Sequence, residues 1–441
     1  GLSGSATGII IAVSLIWDGI SDPLVGSWSD RLHSRYGRRH PFMTYSAVPA
    51  AIGFVGLFSP PQAVVDSHLL LGGWLLFWSL WVRTFVTLFA IPHLALSVEL
   101  SSDYQQRTRL LGLRIGIMFL VAVLLPAFGL LVIFNEPGGV DGRFVPENYP
   151  SYGLISGVVI IVLAFITVAG TRFNTSRPDH GGEQYALPGY GEFLADVTRT
   201  LRNRDFRAVI CYDIAASMSW GSASALNILV ATYVFELDSV ELAAMLALPS
   251  LVAVVLVWVA LNPLGKYLQK PQILRLALWM MLANSLWLLP LKLSGLLPDN
   301  DSPVILWLNL VYMGLFMFFF LLRAVAGMSI VADITDQADV THGERQEGGF
   351  FAVVNFITKI ATLFGPLYAG IALDVIGLDR QELPGQVAEP VLDGLMYAML
   401  LGVVPLLTLA LVFAYRISFS REQFEAIQAT LRAREADSQG R

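Results

Sequence analysis

Cysteine occurs once, at Cys211, which rules out an internal disulfide and any cysteine-rich metal site. Charge is scarce as well. Only 14% of the 441 residues are ionised, against 55% hydrophobic and a mean hydropathy of +0.63, so there is far too much apolar sequence for a soluble core. The six histidines are scattered, and no HExxH, GxSxG or P-loop pattern occurs, so the chain lacks the metal cluster or nucleophile–base set that a membrane hydrolase or transferase needs. It opens on Gly1 with no initiator methionine, basic leader or cleavable signal, and a true start further upstream is expected. The net charge of −6 says little about partners, because the charges are sorted by side of a membrane.

Apolar runs long enough to span a bilayer are read at 6–28, 41–58, 69–97, 109–134 and 150–170, then at 206–235, 240–262, 271–290, 302–335, 348–376 and 391–416. Basic residues fall in alternate connections: Arg31, Arg35, Arg38 and Arg39, then Arg107, Arg109 and Arg114, then the arginines from Arg172 to Arg207. Lys266, Lys270, Arg275, Arg345 and the tail from Arg416 share that side, whereas the opposite loops hold Arg143, Lys292 and Arg380. The bias puts the basic side in the cytoplasm, with the chain start outside and the tail inside. The polar stretch 171–205, with its glycines and prolines, is longer than the other connections and reads as a central cytoplasmic loop. It separates a five-helix bundle (1–170) from a six-helix bundle (206–416), with a cytoplasmic tail at 417–441. Asp22-Pro23-Leu24 before a basic loop is echoed by Asn262-Pro263-Leu264 before Lys266 and Lys270. Glu99, Asp103, Arg107 and Arg109 are likewise echoed by Asp333, Asp336 and Arg345. A repeated six-helix unit is implied, its first helix missing here, so twelve helices are expected in the complete protein.

The chain is organised around WDGISDPLVGSWSDRLHSRYGRRHP, from Trp17 to Pro41. Asp18 and Asp22 stand four residues apart, one turn from each other on one helix face. Carboxylates at bilayer depth cost several kcal/mol unless paired or used, so they call for a cation. Pro23 removes one backbone hydrogen bond and frees the carbonyl of Gly19 as a further oxygen ligand. Arg83, Thr87 and Ala90 recur at helical spacing and form a second stripe. Asp213 and Arg323 are a second candidate charge pair within the later bundle. Trp17, Trp78, Trp81, Trp220 and Trp307 read first as interfacial or packing residues.

WDGISDPLVGSWSDRLHSRYGRRHPF resembles the second helix and following loop of the glycoside–pentoside–hexuronide:cation symporters, the branch of the major facilitator superfamily that includes the melibiose carrier. IPHLALSVELSSDYQQRTRL (91–110) is similar to the end of that family's fourth helix, and VADITDQADVTHGERQEGGFFAVVNFITK (331–359) to its connection between the tenth and eleventh helices. The resemblance runs along almost the whole chain and implies an all-α polytopic major-facilitator fold of two bundles.

That resemblance implies a cation site for Na⁺ or H⁺ at Asp18 and Asp22, with Ser21 and Thr87 as neutral oxygen ligands. Lys359 faces the site and satisfies the carboxylates when the ion has left. The plainer alternative is that the aspartates only ion-pair with a basic residue such as Lys359 to hold helices together. Arg83, Ala90 and Trp17 are assigned to the substrate cavity. Ala90 stands where the melibiose carrier has a sugar-binding aspartate, a departure from the galactoside pattern. Arg83 either greets an anionic sugar or forms a buried salt bridge. Asp30, Arg31, Arg38 and Arg39, with Asp103, Arg107, Asp333, Asp336 and Arg345 as counter-charges, resemble the superfamily's cytoplasmic gate. The implied function is symport of a sugar or glycoside with Na⁺ or H⁺ by a monomeric unit in the plasma (cell inner) membrane. No cofactor, catalytic residue or nucleic-acid partner is expected. A non-transporting receptor or scaffold, or a proton-coupled carrier of a non-sugar solute on the same fold, are the alternatives.

Overall fold

The computed structural model describes residues 2–32, 34, 39–99, 104–134, 141–172, 203–342, 347–378, 382–418 and 427. Among them no strand occurs, and eleven stretches are long and apolar enough to cross a membrane, from Gly4–Ser29 to Glu389–Ala414. Each overlaps one of the eleven segments expected. The helices in chain order are α1 (Gly4–Arg31), α2 (His40–Phe58), α3 (Gln62–Val65), α4 (His68–Glu99), α5 (Tyr104–Phe128) and α6 (Asn148–Arg172). There follow α7 (Arg204–Leu229), α8 (Ser239–Tyr267), α9 (Lys270–Ser285), α10 (Leu288–Leu293), α11 (Pro303–His342), α12 (Glu347–Thr362), α13 (Phe364–Ile376) and α14 (Glu389–Ala414).

Two of the expected segments are broken helices. The run 271–290 divides at residues 286–287, and 348–376 at Leu363. A proline follows each break: Pro290 and Pro366 have no N–H to offer the carbonyls of Leu286 and Thr362 four residues back, which removes one rung of the ladder there.

The residues cluster into two compact units. The first comprises Gly1–Leu187 with Asp238–Ala243 and Gly370–Leu383; the second comprises Pro188–Leu237, Ala244–Ala369 and Pro384–Arg441. In the first unit, α2 meets α4 where glycines admit indoles: a Cβ on Gly53 would overlap Trp81, and one on Gly56 would overlap Trp78. As the residue number rises on α2 it falls on α4, so these neighbours are antiparallel. The Trp81 indole donates to the Pro49 carbonyl at 2.9 Å, and Trp74 to that of Gly56 at 2.9 Å, giving the polar edges of the rings an acceptor inside an apolar interface. At the start of α1, Ser3 caps the Ala6 N–H at 3.2 Å, and the Asp374 carboxylate takes the N–H groups of Gly4 and Ser5 at 2.5 and 2.8 Å.

The second unit holds most of the fully buried large side chains, including Phe206, Leu226, Leu274, Leu278, Leu288, Ile305 and Leu322. On α8 the exposed residues Leu248, Val252, Val255 and Val259 lie along one stripe at helical spacing. Apolar residues turned outward in this way suit hydrocarbon rather than water.

Candidate functional site

Two carboxylate rungs join α1 to α4. Arg83 donates through Nη1 to Asp18 Oδ2, and Thr87 donates through Oγ1 to Asp22 Oδ1 at 3.1 Å. Each rung links residues 65 positions apart, so moving one turn along α1 moves one turn along α4 in the same sense, and the two helices run parallel. Asp18, Ser21 and Thr87 are buried. The Arg83 side chain is 33% exposed against 11% for Asp18, so the guanidinium reaches out of the pair while the carboxylate is enclosed. A methyl group on Gly19 would meet nothing within 4 Å, which leaves open space beside the turn whose carbonyl Pro23 releases. The Ser21 hydroxyl turns back to the Asp18 carbonyl at 3.4 Å.

Trp17 donates to Thr84 Oγ1 at 2.8 Å and, with Phe77, Leu80, Trp81 and Thr84, lines an apolar recess of about 220 Å³. Ala90 is half-buried on the α4 stripe that carries Arg83 and Thr87. Lys359 lies near the end of α12, in the second unit, and is half-buried.

The second unit contains its own cluster. Asp213 on α7 accepts Arg323 Nη1 of α11 at 3.3 Å and Thr358 Oγ1 of α12 at 2.5 Å. The arginine side chain is 7% exposed and lies 5.4 Å over the Phe320 ring, which stacks on Trp220 at 4.1 Å. Its Nε is buried with no hydrogen-bond partner. Asp213 and Arg323 do pair, with the arginine buried in packing and the carboxylate 14% exposed.

The gate residues divide. Arg39 is buried and donates through Nη1 to Ser29 Oγ at 2.7 Å, tying the start of α2 to the end of α1. Asp333, a counter-charge in the gate reading, has a buried carboxylate held through both oxygens by Lys270 Nζ of α9 at 2.7 Å, within the second unit. Asp336 is half-buried on α11. The side chains of Asp30, Arg31 and Arg107, and residues Arg38, Asp103 and Arg345, lie outside the described residues. Sequence reasoning left Lys270 among the topological charges; its place at the first turn of α9, eight residues past Asn262, gave no sign of a carboxylate partner.

Sequence reasoning also missed Asp141. It accepts Arg143 Nη2 at 2.7 Å and the Ser239 hydroxyl at 2.8 Å, joining the 141–144 turn to the start of α8 inside the first unit. Burial alone would raise its pKa, but the Arg143 and Ser239 hydrogen bonds outweigh burial and hold it below 3.8. Among the described residues no group of three or more His, Cys, Asp or Glu side chains gathers as a metal site.

Eleven membrane-length helices among the described residues, in two units, fit a multi-pass membrane protein, and comparison with known proteins makes it a transporter of the major facilitator superfamily. The chain belongs to the MFS/sugar transport protein family, whose profile matches residues 1–421. It is 21% identical to the symporter sll1374 of Synechocystis sp. over 99% of this chain and 92% of that protein. It is 23% identical to the putative glycoside/cation symporter YagG of Escherichia coli K12 over 84% of this chain and 75% of that protein. The fold matches the xylose transporter XylE from E. coli with a TM-score of 0.57 at 15% identity, covering 97% of this chain and 89% of that one. These relatives are transporters, and this chain is a transporter rather than an enzyme or a receptor.

Proposed function

We propose that this protein is a cation-coupled symporter of a sugar or glycoside, driven by Na⁺ or H⁺ through Asp18 and Asp22. The supporting observation is the α1–α4 ladder. Asp18, Asp22 and Arg83 sum to one negative charge, which one monovalent cation offsets. The Thr87 hydroxyl, the Ser21 hydroxyl and the Gly19 carbonyl add the neutral oxygens that a hard cation takes. The choice of a sugar or glycoside leans on the family description and on the name of the YagG relative.

Coupling follows from competition. A cation at the carboxylates weakens the hold of Asp18 on Arg83, and the partly exposed guanidinium turns its donors to a hydroxyl or carboxylate of the solute. Each ligand then tightens the other by the same factor, as linkage requires. The full assignment has the chain in the cell's inner (plasma) membrane, its start outside and its tail cytoplasmic, working as a single-chain unit with no cofactor beyond the coupling ion. The helical bundles are read as 1–170 and 206–416, joined by a cytoplasmic loop.

Uptake of a panel of labelled sugars into vesicles, with and without an imposed Na⁺ or H⁺ gradient, tests this. The gradient should drive accumulation in wild type and fail in Asp22→Asn. An Asp22→Asn protein that still concentrates the sugar as wild type does would place the coupling site elsewhere.

A further inference from the structure

Beside the Asp18–Arg83 rung the same two helices form an apolar recess with no part in holding a cation. Trp17 of α1 and Phe77, Leu80, Trp81 and Thr84 of α4 line it, all within the first unit, and its volume is about 220 Å³. The Trp17–Thr84 hydrogen bond and the Asp18–Arg83 rung join adjacent residues on both helices, so recess and rung lie at one depth. Neighbouring helical residues point about 100° apart, which sets the apolar lining and the charged rung on adjoining faces.

The polar side-chain atoms of the lining are all engaged inside the protein. Trp17 Nε1 donates to Thr84 Oγ1 at 2.8 Å, that hydroxyl donates to the Leu80 carbonyl at 2.7 Å, and Trp81 Nε1 donates to the Pro49 carbonyl at 2.9 Å. The recess therefore presents ring faces and a leucine; the Phe77 and Trp81 rings lie 5.8 Å apart, tilted by 37°. A sugar ring buried there would find no donor for its hydroxyl oxygens. A flat apolar group has no such need, and since a dry cavity of ~150 Å³ accepts benzene, this one has room for a single aromatic ring with a small substituent.

Trp17 and Trp81 stand near the middle of the membrane-length stretches Gly4–Ser29 and His68–Leu96, away from the headgroup level where tryptophan anchors a helix. Bilayer hydrocarbon packs on any leucine-rich surface, such as the outward stripe of α8, and does not require three aromatic rings, two of them with their edges pinned. Trp17 and Phe77 remain exposed, so the recess is open to an incoming group.

We infer that this recess seats the non-sugar part of the transported solute, and that the solute is a glycoside with an aromatic aglycone in preference to a free sugar. This rests on Arg83 holding the polar end of the solute, as proposed above, and adds the apolar end. A sugar and its aglycone are joined through one oxygen, so recognising both takes two adjoining subsites, one polar and one apolar, as the rung and the recess are.

Uptake of phenyl and methyl β-glycosides of glucose, xylose and glucuronate into vesicles carrying the full chain and an imposed Na⁺ or H⁺ gradient tests this, read as the ratio of their half-saturation concentrations. For the sugar that is carried, the phenyl glycoside should half-saturate at a concentration about tenfold lower than the methyl glycoside. Leu80→Trp fills the recess and should bring the ratio close to one, whereas Leu80→Ala enlarges it and should favour a naphthyl over a phenyl glycoside. Each ratio is taken within one protein, so a smaller folded fraction leaves it unmoved.

Equal half-saturation by phenyl and methyl glycosides in wild type would overturn the inference while leaving sugar symport in place. A phenyl preference that survives Leu80→Trp would overturn it too, because the ring would then be acting through the bilayer or at another site. If none of the glycosides accumulates, the sugar reading falls and the aglycone seat falls with it.

Discussion

Each unit of the molecule contains an aspartate, an arginine and a threonine in one polar cluster, and the two clusters are built for different ends. Arg83 of the Asp18 cluster is 33% exposed. Arg323 of the Asp213 cluster is 7% exposed and wedged against the Phe320–Trp220 stack. The first cluster sets two aspartates, Asp18 and Asp22, against one arginine, while the second pairs one aspartate with one arginine. Charge balance and the packing of the arginine, more than the exposure of the carboxylates (11% for Asp18, 14% for Asp213), separate the two.

The sharpest test of that contrast is transport. Asp18→Asn or Asp22→Asn should abolish gradient-driven accumulation while sparing part of the downhill exchange, whereas Asp213→Asn should leave the dependence on the cation gradient in place in whatever protein folds. Stability should show the reverse order. Arg323→Met strands the Asp213 carboxylate and should cost about 3–5 kcal/mol, read from denaturant unfolding in detergent; Arg323→Met with Asp213→Leu should recover most of it. Arg83→Ala should cost less, about 1–2 kcal/mol, since a third of that side chain already lies outside the packing.

Smaller again is Lys270→Met, which removes both hydrogen bonds to Asp333; because the lysine is 39% exposed it should cost about 1 kcal/mol, without changing cation dependence. The smallest effect belongs to Asp141. Its folded pKa lies below the ordinary 3.8, so its contribution is present above that value and is lost as pH falls through the lower, folded one. Wild type should therefore lose this increment only in acid, and Asp141→Asn should lack it at neutral pH and show a flatter acid limb.

Much of this was legible in the sequence because lipid makes the rules strict. Apolar length located the helices, and depth singled out Asp18, Asp22, Asp213 and Arg323. Matched i, i+4 spacing of Asp18/Asp22 and Arg83/Thr87 was also visible, but only the side-by-side placement of α1 and α4 shows that the two spacings mesh. The helix breaks near Leu286 and Leu363 were missed because Pro23, Pro49 and Pro92 sit inside continuous helices, so proline alone does not decide. Lys270–Asp333 and Asp141–Ser239 join residues 63 and 98 positions apart, at spacings that no periodicity encodes.

The constant offset of 65 also works as a mechanical register. If α4 slid one turn against α1, Asp18 would meet Thr87, or Asp22 would meet Arg83, and in either case the other aspartate would be carried past the end of the rack. Apolar helices in lipid have almost nothing to resist such sliding, since one leucine packs much like the next. Two teeth of unequal charge admit one meshing, so the pair indexes the helices along the membrane normal from the moment they associate.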